Sequence, residues 1–215
     1  MYETIIFDLD GTLLDTLEDL ADATNFALST CGLPKRTVAE VRAFVGNGVA
    51  KLMERAVGQD NQALQAKALS VFKPYYSEHC ADKTAPYAGI LPLLKTLQEQ
   101  GIKTAVLSNK PDPAVKSLAQ FYFDGLLQAA VGENEAAGIR KKPAPDALYS
   151  VMENLSANPK TTVYVGDSEV DIQTAKNAGV DCICVTWGFR DKAFLQEEGG
   201  VYFVDTPAEI LGYVK

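Results

Sequence analysis

The alternation of short apolar runs with helical patterns from Ile90 onward limits most strongly how this chain can fold. Ile90, Leu94 and Leu97 mark a helix that Gly101 stops, Lys103 to Leu107 reads as a buried strand, Pro113 to Phe121 as a helix and Leu126 to Val131 as a strand. The order then repeats: a helix over Pro145 to Leu155, a strand over Thr162 to Val165, a helix over Ser168 to Ala178 ended by Gly179, and a strand over Asp181 to Thr186. Strands separated by helices pair in parallel through right-handed crossovers. The chain is therefore read as an α/β protein with a doubly wound, mainly parallel, Rossmann-like sheet.

The beginning is organised differently. In Thr4 to Thr16, TIIFDLDGTLLDT, an apolar strand runs straight into Asp8 and Asp10. Asp10-Gly11 suits a type I′ hairpin turn, but a hairpin needs a second alternating strand and none follows. Leu13, Leu17, Leu20, Ala27 and Cys31 fall at helical spacing instead, which gives strand, short acidic loop, helix. Asp8 and Asp10 then lie outside the carboxyl end of the strand, where open α/β sheets bind ligands. Gly32-Leu33-Pro34 closes that helix, and Thr37-Val38-Ala39-Glu40 matches a capping box that opens the next. Val49 to Ala56 and Leu64 to Tyr75 read as two more. A four-helix insert is expected over residues 15–84, set in a core of residues 1–14 and 85–215. The two connections between them have the form of a hinge.

With 215 residues, 47% hydrophobic and 22% charged, the chain can bury one sizeable core and a smaller one. A net charge of −8 argues against nucleic acid or an anionic membrane as partner, because either favours a basic patch. The first residues read as a strand rather than a signal peptide, and no apolar run is long enough to span a bilayer, so a cytoplasmic location is expected. Cys31, Cys80, Cys182 and Cys184 lack C-x-x-C spacing and read as reduced packing residues. His79 is the only histidine, which disfavours a Ser-His-Asp triad or a multi-histidine zinc site; it reads as a surface residue near the hinge.

Polar motifs follow the core strands: Asp8-Leu9-Asp10-Gly11-Thr12, Ser108-Asn109-Lys110 and Gly166-Asp167-Ser168-Glu169-Val170-Asp171. A fourth, Lys141-Lys142-Pro143-Ala144-Pro145-Asp146, starts a helix. Singly, each reads as a loop cap or a solvated charge. In a parallel sheet their loops share one edge, which gathers carboxylates, a hydroxyl and a lysine in a single crevice. Acids gathered in this way raise one another's pKa unless a cation keeps them ionised. Oxygen ligands without histidine or thiolate suit Mg²⁺. Asp8 and Asp167 are the expected direct ligands. Asp171, one helical turn on from Asp167, is either a further ligand or a residue that orients the ligands. Lys110 either reaches the crevice rim or points into water.

The four motifs, in this order, resemble those of the haloacid dehalogenase superfamily, and the resemblance spans nearly the whole chain. The insert after the first motif is similar to that superfamily's helical cap, and Val45-Gly46-Asn47-Gly48-Val49 with Asp15-Thr16 resembles the bacterial phosphoglycolate phosphatases in particular. The resemblance implies that Asp8 is a nucleophile forming an aspartyl-phosphate and that Asp10 is the acid and base, its backbone carbonyl left for Mg²⁺. It also implies that Ser108, Lys142 and the backbone around Leu9 and Asn109 hold the phosphoryl oxygens.

An acid at position 10 favours phosphoester chemistry over carbon–halogen or phosphonate cleavage, and Thr12 after Gly11 leans the same way. The expected partner is a small phosphorylated metabolite, phosphoglycolate first, with the protein a monomer or homodimer. A sugar phosphomutase resembling β-phosphoglucomutase, a pyrophosphatase and a non-catalytic phospho-ligand-binding module are the alternatives. In the insert, the N–H groups of Gly46, Asn47 and Gly48 with Lys51, and with Arg42 and Arg55 nearby in sequence, form a candidate site for a second anionic group of the substrate.

Overall fold

Thr4–Phe7, a run of β-branched and aromatic residues buried along its whole length, forms strand β1 at the centre of the sheet. The computed structural model describes residues 1–58 and 60–214. Two compact units are present, Met1–Leu14 with Pro86–Lys215, and Asp15–Ala85. The chain passes between them at β2 (Leu14–Asp15) and β3 (Ala85–Pro86), which pair with each other as a two-stranded sheet.

The helical unit holds α1 (Leu17–Thr30), α2 (Val38–Phe44), α3 (Val49–Val57) and α4 (Gln62–His79). Thr37 and Glu40 form the capping box that opens α2. The first helix begins later than its apolar spacing suggests. Leu13 and Leu14 are buried in the other unit, in a turn where the N–H groups of Thr12, Leu13 and Leu14 all donate to the Leu9 carbonyl (3.3, 3.0 and 2.9 Å). Asp19, in the first turn of α1, is buried, and its carboxylate accepts from the backbone N–H groups of Lys83 and Thr84 and from the Thr84 hydroxyl. One side chain thus ties the segment leaving the unit to the helix that entered it. His79 is partly exposed, with Nδ1 2.8 Å from the Asp82 carboxylate, and all four cysteines are free thiols.

In the other unit the sheet is completed by β4 (Lys103–Pro111), β5 (Ala129–Glu133), β6 (Thr162–Gly166), β7 (Asp181–Val185) and β8 (Tyr202–Val204). Its order is β5-β4-β1-β6-β7-β8, and every neighbouring pair is parallel. The connections run through α5 (Ile90–Glu99), α6 (Asp112–Phe123), α7 (Asp146–Asn154), α8 (Glu169–Ala178) and α9 (Lys192–Glu197). Strand order turns at β1, since β4 and β5 lie to one side and β6 to β8 to the other; that is the switch point of a doubly wound sheet.

Two strands depart from the sequence expectation. β4 runs on to Pro111, and its register against β5 shifts between Leu107 and Pro111. β5 starts at Ala129 because Leu126 closes a turn on the Phe123 carbonyl and Gln128 pairs by backbone and side chain with Thr104. The edge strand β8 escaped the sequence reading; three residues after Gly199-Gly200 are too few to show a period. Among the described residues no helix is long and apolar enough to cross a membrane.

Asp19→Ala should lower the stability of the helical unit by about 1–3 kcal/mol, because two buried N–H groups and a hydroxyl lose their acceptor. Urea unfolding followed by circular dichroism measures this, and a midpoint equal to wild type would show that the carboxylate does not hold the returning segment.

Candidate active site

The register of the sheet brings three strand ends level. Phe7 of β1 faces Val106 of β4 on one side and Val165 of β6 on the other. Asp8 and Asp167 therefore lie just past the ends of β1 and β6 along one edge, beside Ser108 in β4, which itself runs on to Pro111. Asp8 is fixed there by its backbone, whose N–H donates to the Val165 carbonyl at 2.8 Å, while its carboxylate accepts the Leu9 N–H at 2.7 Å.

Lys142 arrives from the segment before α7. The amide side chain of Asn109 clamps its backbone, accepting the Lys142 N–H at 2.8 Å and donating to its carbonyl at 3.0 Å. The Lys142 ammonium lies 2.7 Å from Asp171 Oδ1, 2.9 Å from the Tyr164 hydroxyl and 3.0 Å from Asp8 Oδ1. An ammonium has three protons to give, and each has an acceptor. Tyr164 passes its own proton to the Leu107 carbonyl at 2.7 Å, which fixes its oxygen as an acceptor for the lysine.

Asp171 is fully buried and serves as the N3 residue of a capping box on α8. Its Oδ2 accepts from the Asp167 N–H, the Ser168 N–H and the Ser168 hydroxyl, and its Oδ1 accepts from Lys142. Asp167 is held from another side, with Oδ2 accepting the Phe189 N–H at 2.6 Å and Oδ1 facing the Thr12 hydroxyl at 3.4 Å. Gly11 and Gly188 flank this carboxylate so closely that a Cβ at either would run into it, and Gly11 adopts a φ of 82° besides.

Carboxylate oxygens of Asp8, Asp167 and Asp171 lie within 4.8 Å of one another. Three carboxylates against the one Lys142 ammonium leave two negative charges formally uncompensated, the charge of one divalent cation. Burial pushes the Asp8 carboxyl up to about 7, against the pull of Lys142, with Asp171 and Asp10 adding to the rise. Burial also drives Asp167 well above the ordinary carboxylate range, with Asp171 and Asp8 repelling its charge and the Phe189 N–H and Arg190 acting the other way. For Lys142, burial disfavours the charge but Asp171 and Asp8 more than offset it and hold the ammonium well above an ordinary lysine. Hard oxygen donors with surplus negative charge, and no thiolate or imidazole in the cluster, fit Mg²⁺ in chemistry and charge.

Asp10 stands apart from this cluster. Its carboxylate pairs with the Lys110 ammonium at 2.8 and 3.1 Å. Lys110 thus reaches the first acid loop at the crevice rather than pointing into water; its side chain is 1% exposed. Ser108 is buried at the same edge, its Oγ 3.4 Å from the Lys110 N–H.

Three contributions were not read from the sequence: the Tyr164 hydroxyl under Lys142, the Asn109 side-chain clamp, and the segment Trp187–Phe189 after β7. The indole N–H of Trp187 donates to the Thr12 carbonyl at 3.0 Å, so this segment braces both the first loop and Asp167. Only the Trp-Gly pair beyond an apolar strand hinted at it. In the helical unit, Gly48 caps α3, and Arg55 donates to the Phe44 carbonyl and to Asn47 Oδ1, so Arg55 braces the Gly46-Asn47-Gly48 turn. Lys51, half-exposed, pairs with Glu54 of its own helix.

Comparison with known proteins places the chain in a family. The family model for haloacid dehalogenase-like hydrolases matches residues 5–185. The chain is similar to a phosphoglycolate phosphatase of Pseudomonas syringae pv. tomato, 34% identical over 94% of this chain and 75% of that protein. It is also similar to one of Psychrobacter arcticus, 35% identical over 87% and 85%. A crystal structure from Lactobacillus delbrueckii subsp. bulgaricus, described provisionally as a phosphoglycolate phosphatase, is 40% identical over 97% of this chain and 96% of that one, with a TM-score of 0.93. CbbY from Rhodobacter sphaeroides, solved with phosphate, is 25% identical over 100% and 99%, with a TM-score of 0.78.

The raised Asp8 carboxyl has a thermodynamic consequence. Between its ordinary value of 3.8 and about 7 the folded state holds a proton that the unfolded state has released. Stability of chelator-treated protein should therefore fall as pH rises through that interval and level off above it. Asp8→Asn lacks this component, so its thermal midpoint should gain on wild type between pH 5 and pH 7, an interval inside that range. Parallel curves for the two proteins would remove Asp8 as the source.

Proposed function

Since this chain belongs to the haloacid dehalogenase-like hydrolases, we propose that it is a Mg²⁺-dependent phosphatase that hydrolyses a small cytoplasmic phosphate monoester, phosphoglycolate first, through an aspartyl-phosphate on Asp8. The observation that carries this reading is the placement of Asp8: it is fixed by its backbone at the sheet edge, in contact with the Lys142 ammonium and in one cluster with Asp167. The names of the similar phosphatases support the substrate.

Mg²⁺ would be held by Asp8, Asp167 and the Asp10 backbone carbonyl, and when bound it neutralises charge on the phosphoryl group. Asp171, with four donors already on its two oxygens, orients Lys142 and the Asp167 loop rather than serving as a principal ligand. Thr12 orients Asp167. Ser108, Lys142 and the N–H groups of Leu9 and Asn109 take the phosphoryl oxygens. A carboxylate oxygen of Asp8 attacks phosphorus, and the bond to the ester oxygen breaks as Asp10 gives that oxygen its proton. Asp10 then takes a proton from the water that hydrolyses the acyl phosphate, which releases phosphate and restores both acids. Substrate selection is assigned to the helical unit, with Gly46, Asn47, Gly48 and Lys51 recognising a second anionic group.

Phosphate release should require Mg²⁺, vanish on chelation and be fastest with phosphoglycolate in a panel of small monoesters and pyrophosphate. Asp8→Asn should abolish release while leaving the circular dichroism spectrum unchanged; retained turnover would exclude Asp8 as nucleophile. Lys51→Ala should raise KM for phosphoglycolate and leave that for an aryl phosphate unaltered, and equal rises would dismiss the role given to the helical unit's loop.

A further inference from the structure

The reaction proposed above leaves one buried cation without a task. Lys110 is 1% exposed, although it lies at the end of a strand where a lysine can ordinarily carry its ammonium to water on its flexible stem. Burying an ammonium costs free energy unless it is paired and hydrogen-bonded. The backbone is shaped to allow it here. β4 slips its register against β5 between Leu107 and Pro111, and the facing residue in β5 is Gly132, where a Cβ would stand 2.6 Å from the Lys110 carbonyl oxygen and closer still to the Asp112 backbone. Glycine at 132 thus permits the close strand approach through which Lys110 passes.

The ammonium is 2.8 and 3.1 Å from the two oxygens of Asp10, 100 residues away in sequence. Lys142 meanwhile contacts Asp8 and Asp171. The two acids of the first loop therefore have separate cations. Asp8 belongs with Lys142 in the acid cluster, and Asp10 is drawn to Lys110 outside it. That contact holds the Asp10 carboxylate away from the cluster that contains Asp8, two residues back along the same loop, and so away from a cation held by Asp8 and Asp167.

We propose that Lys110 is a positioning residue for Asp10: the two-oxygen contact keeps that carboxylate out of the Asp8–Asp167–Asp171 cluster and oriented for proton transfer to and from the substrate. This rests on the function proposed above. As the phosphorus–oxygen bond breaks, Asp10 gives its proton to the departing alkoxide and becomes a carboxylate facing the ammonium. That carboxylate then takes a proton from the water attacking the aspartyl-phosphate. Lys110 moves no proton in either step and touches neither phosphorus nor the leaving group.

Leaving-group dependence separates this role from a structural one. An alkyl phosphate needs a proton on its leaving oxygen, whereas p-nitrophenyl phosphate releases a stable phenolate without one. Lys110→Met should lower kcat on the alkyl phosphate that wild type turns over fastest by about 10²-fold, the low end of general acid–base contributions, and kcat on p-nitrophenyl phosphate only a few-fold. The ratio of the two rates does not depend on the folded fraction, so it is readable even if the variant is unstable. Lys110→Arg, which keeps the charge, should restore the wild-type ratio. Asp10→Asn should show the same selective loss, and the double variant should be no worse than Asp10→Asn alone. Equal losses on both substrates in Lys110→Met, or additive losses in the double variant, overturn the proposal. An Asp10→Asn variant without selective loss instead refutes Asp10 as the acid, and a wild type inactive on both esters refutes the phosphatase reading itself.

Discussion

Three buried carboxylates share one ammonium, and this imbalance organises the carboxyl edge of the sheet. Asp8, Asp167 and Asp171 repel one another in a place where water cannot screen them, and Lys142 answers only part of that charge. Around this cluster the structure supplies donors: Leu9 N–H to Asp8, Phe189 N–H to Asp167, and two N–H groups with a hydroxyl to Asp171. Each donor holds its acid in one orientation. What remains is a cluster with surplus negative charge in which each acid is held in one orientation, the kind of arrangement by which electrostatic catalysis avoids reorganisation at the moment of reaction.

The sheet makes that crowding possible. β1 is short and lies between β4 and β6 with matched register, so a residue just past its end meets the residue just past the end of β6 on one side and the outer part of the longer β4 on the other. Buried contacts of Ile5, Ile6, Phe7, Val106 and Val165, all fully buried, supply the apolar stabilisation that offsets the unfavourable charges a few ångströms on. Below the ions sits Tyr164, whose ring is part of the core while its hydroxyl bridges Lys142 and the Leu107 carbonyl. It joins the apolar layer to the charged one, since loss of its oxygen would leave both an ammonium proton and a carbonyl unpartnered.

Much of this was legible in the sequence, and what was not has identifiable causes. Alternation of strands and helices gave the parallel sheet, because short apolar runs such as those of β1, β4 and β6 mark buried strands and the spacing over α8 marks a helix between them. Motifs at strand ends could be placed on a common edge by topology alone, since a parallel sheet leaves no other place for them. Side-chain pairings were hidden. Lys110 reads as either a crevice-rim or a solvated charge, and its pairing with Asp10, 100 residues away, lies beside a register shift of β4 that no local pattern shows. Asn109 reads as a backbone donor until its amide is seen clamping Lys142. The start of α1 was misplaced because Leu13 and Leu14 are apolar for the sake of the neighbouring core, and their spacing with Leu17 mimics a helix. Periodicity reports burial, and burial in one unit was credited to an element of the other.

Asp8 and Asp10 are two residues apart, and in an undisturbed strand such residues point to the same side. Here the strand ends at Phe7 and the chain turns from Leu9 to Leu14. The Leu9 carbonyl collects three N–H groups, Gly11 takes up a left-handed φ of 82°, and the Gly11 N–H returns to the Leu14 carbonyl. That turn lets the second acid diverge from the first, and Lys110 gives it a destination. Divergence matters because the proposed roles are incompatible in one environment. A nucleophile that shares a cation with other acids needs a buried, strongly charged site, while a group that exchanges protons with substrate and water must keep some access. Side-chain exposures of 11% for Asp8 and 14% for Asp10 differ too little to separate them. Their partners differ instead: the Lys142 ammonium within the acid cluster for one, the Lys110 ammonium outside it for the other. Two like residues on one short loop are thereby made chemically unlike by which lysine each one faces.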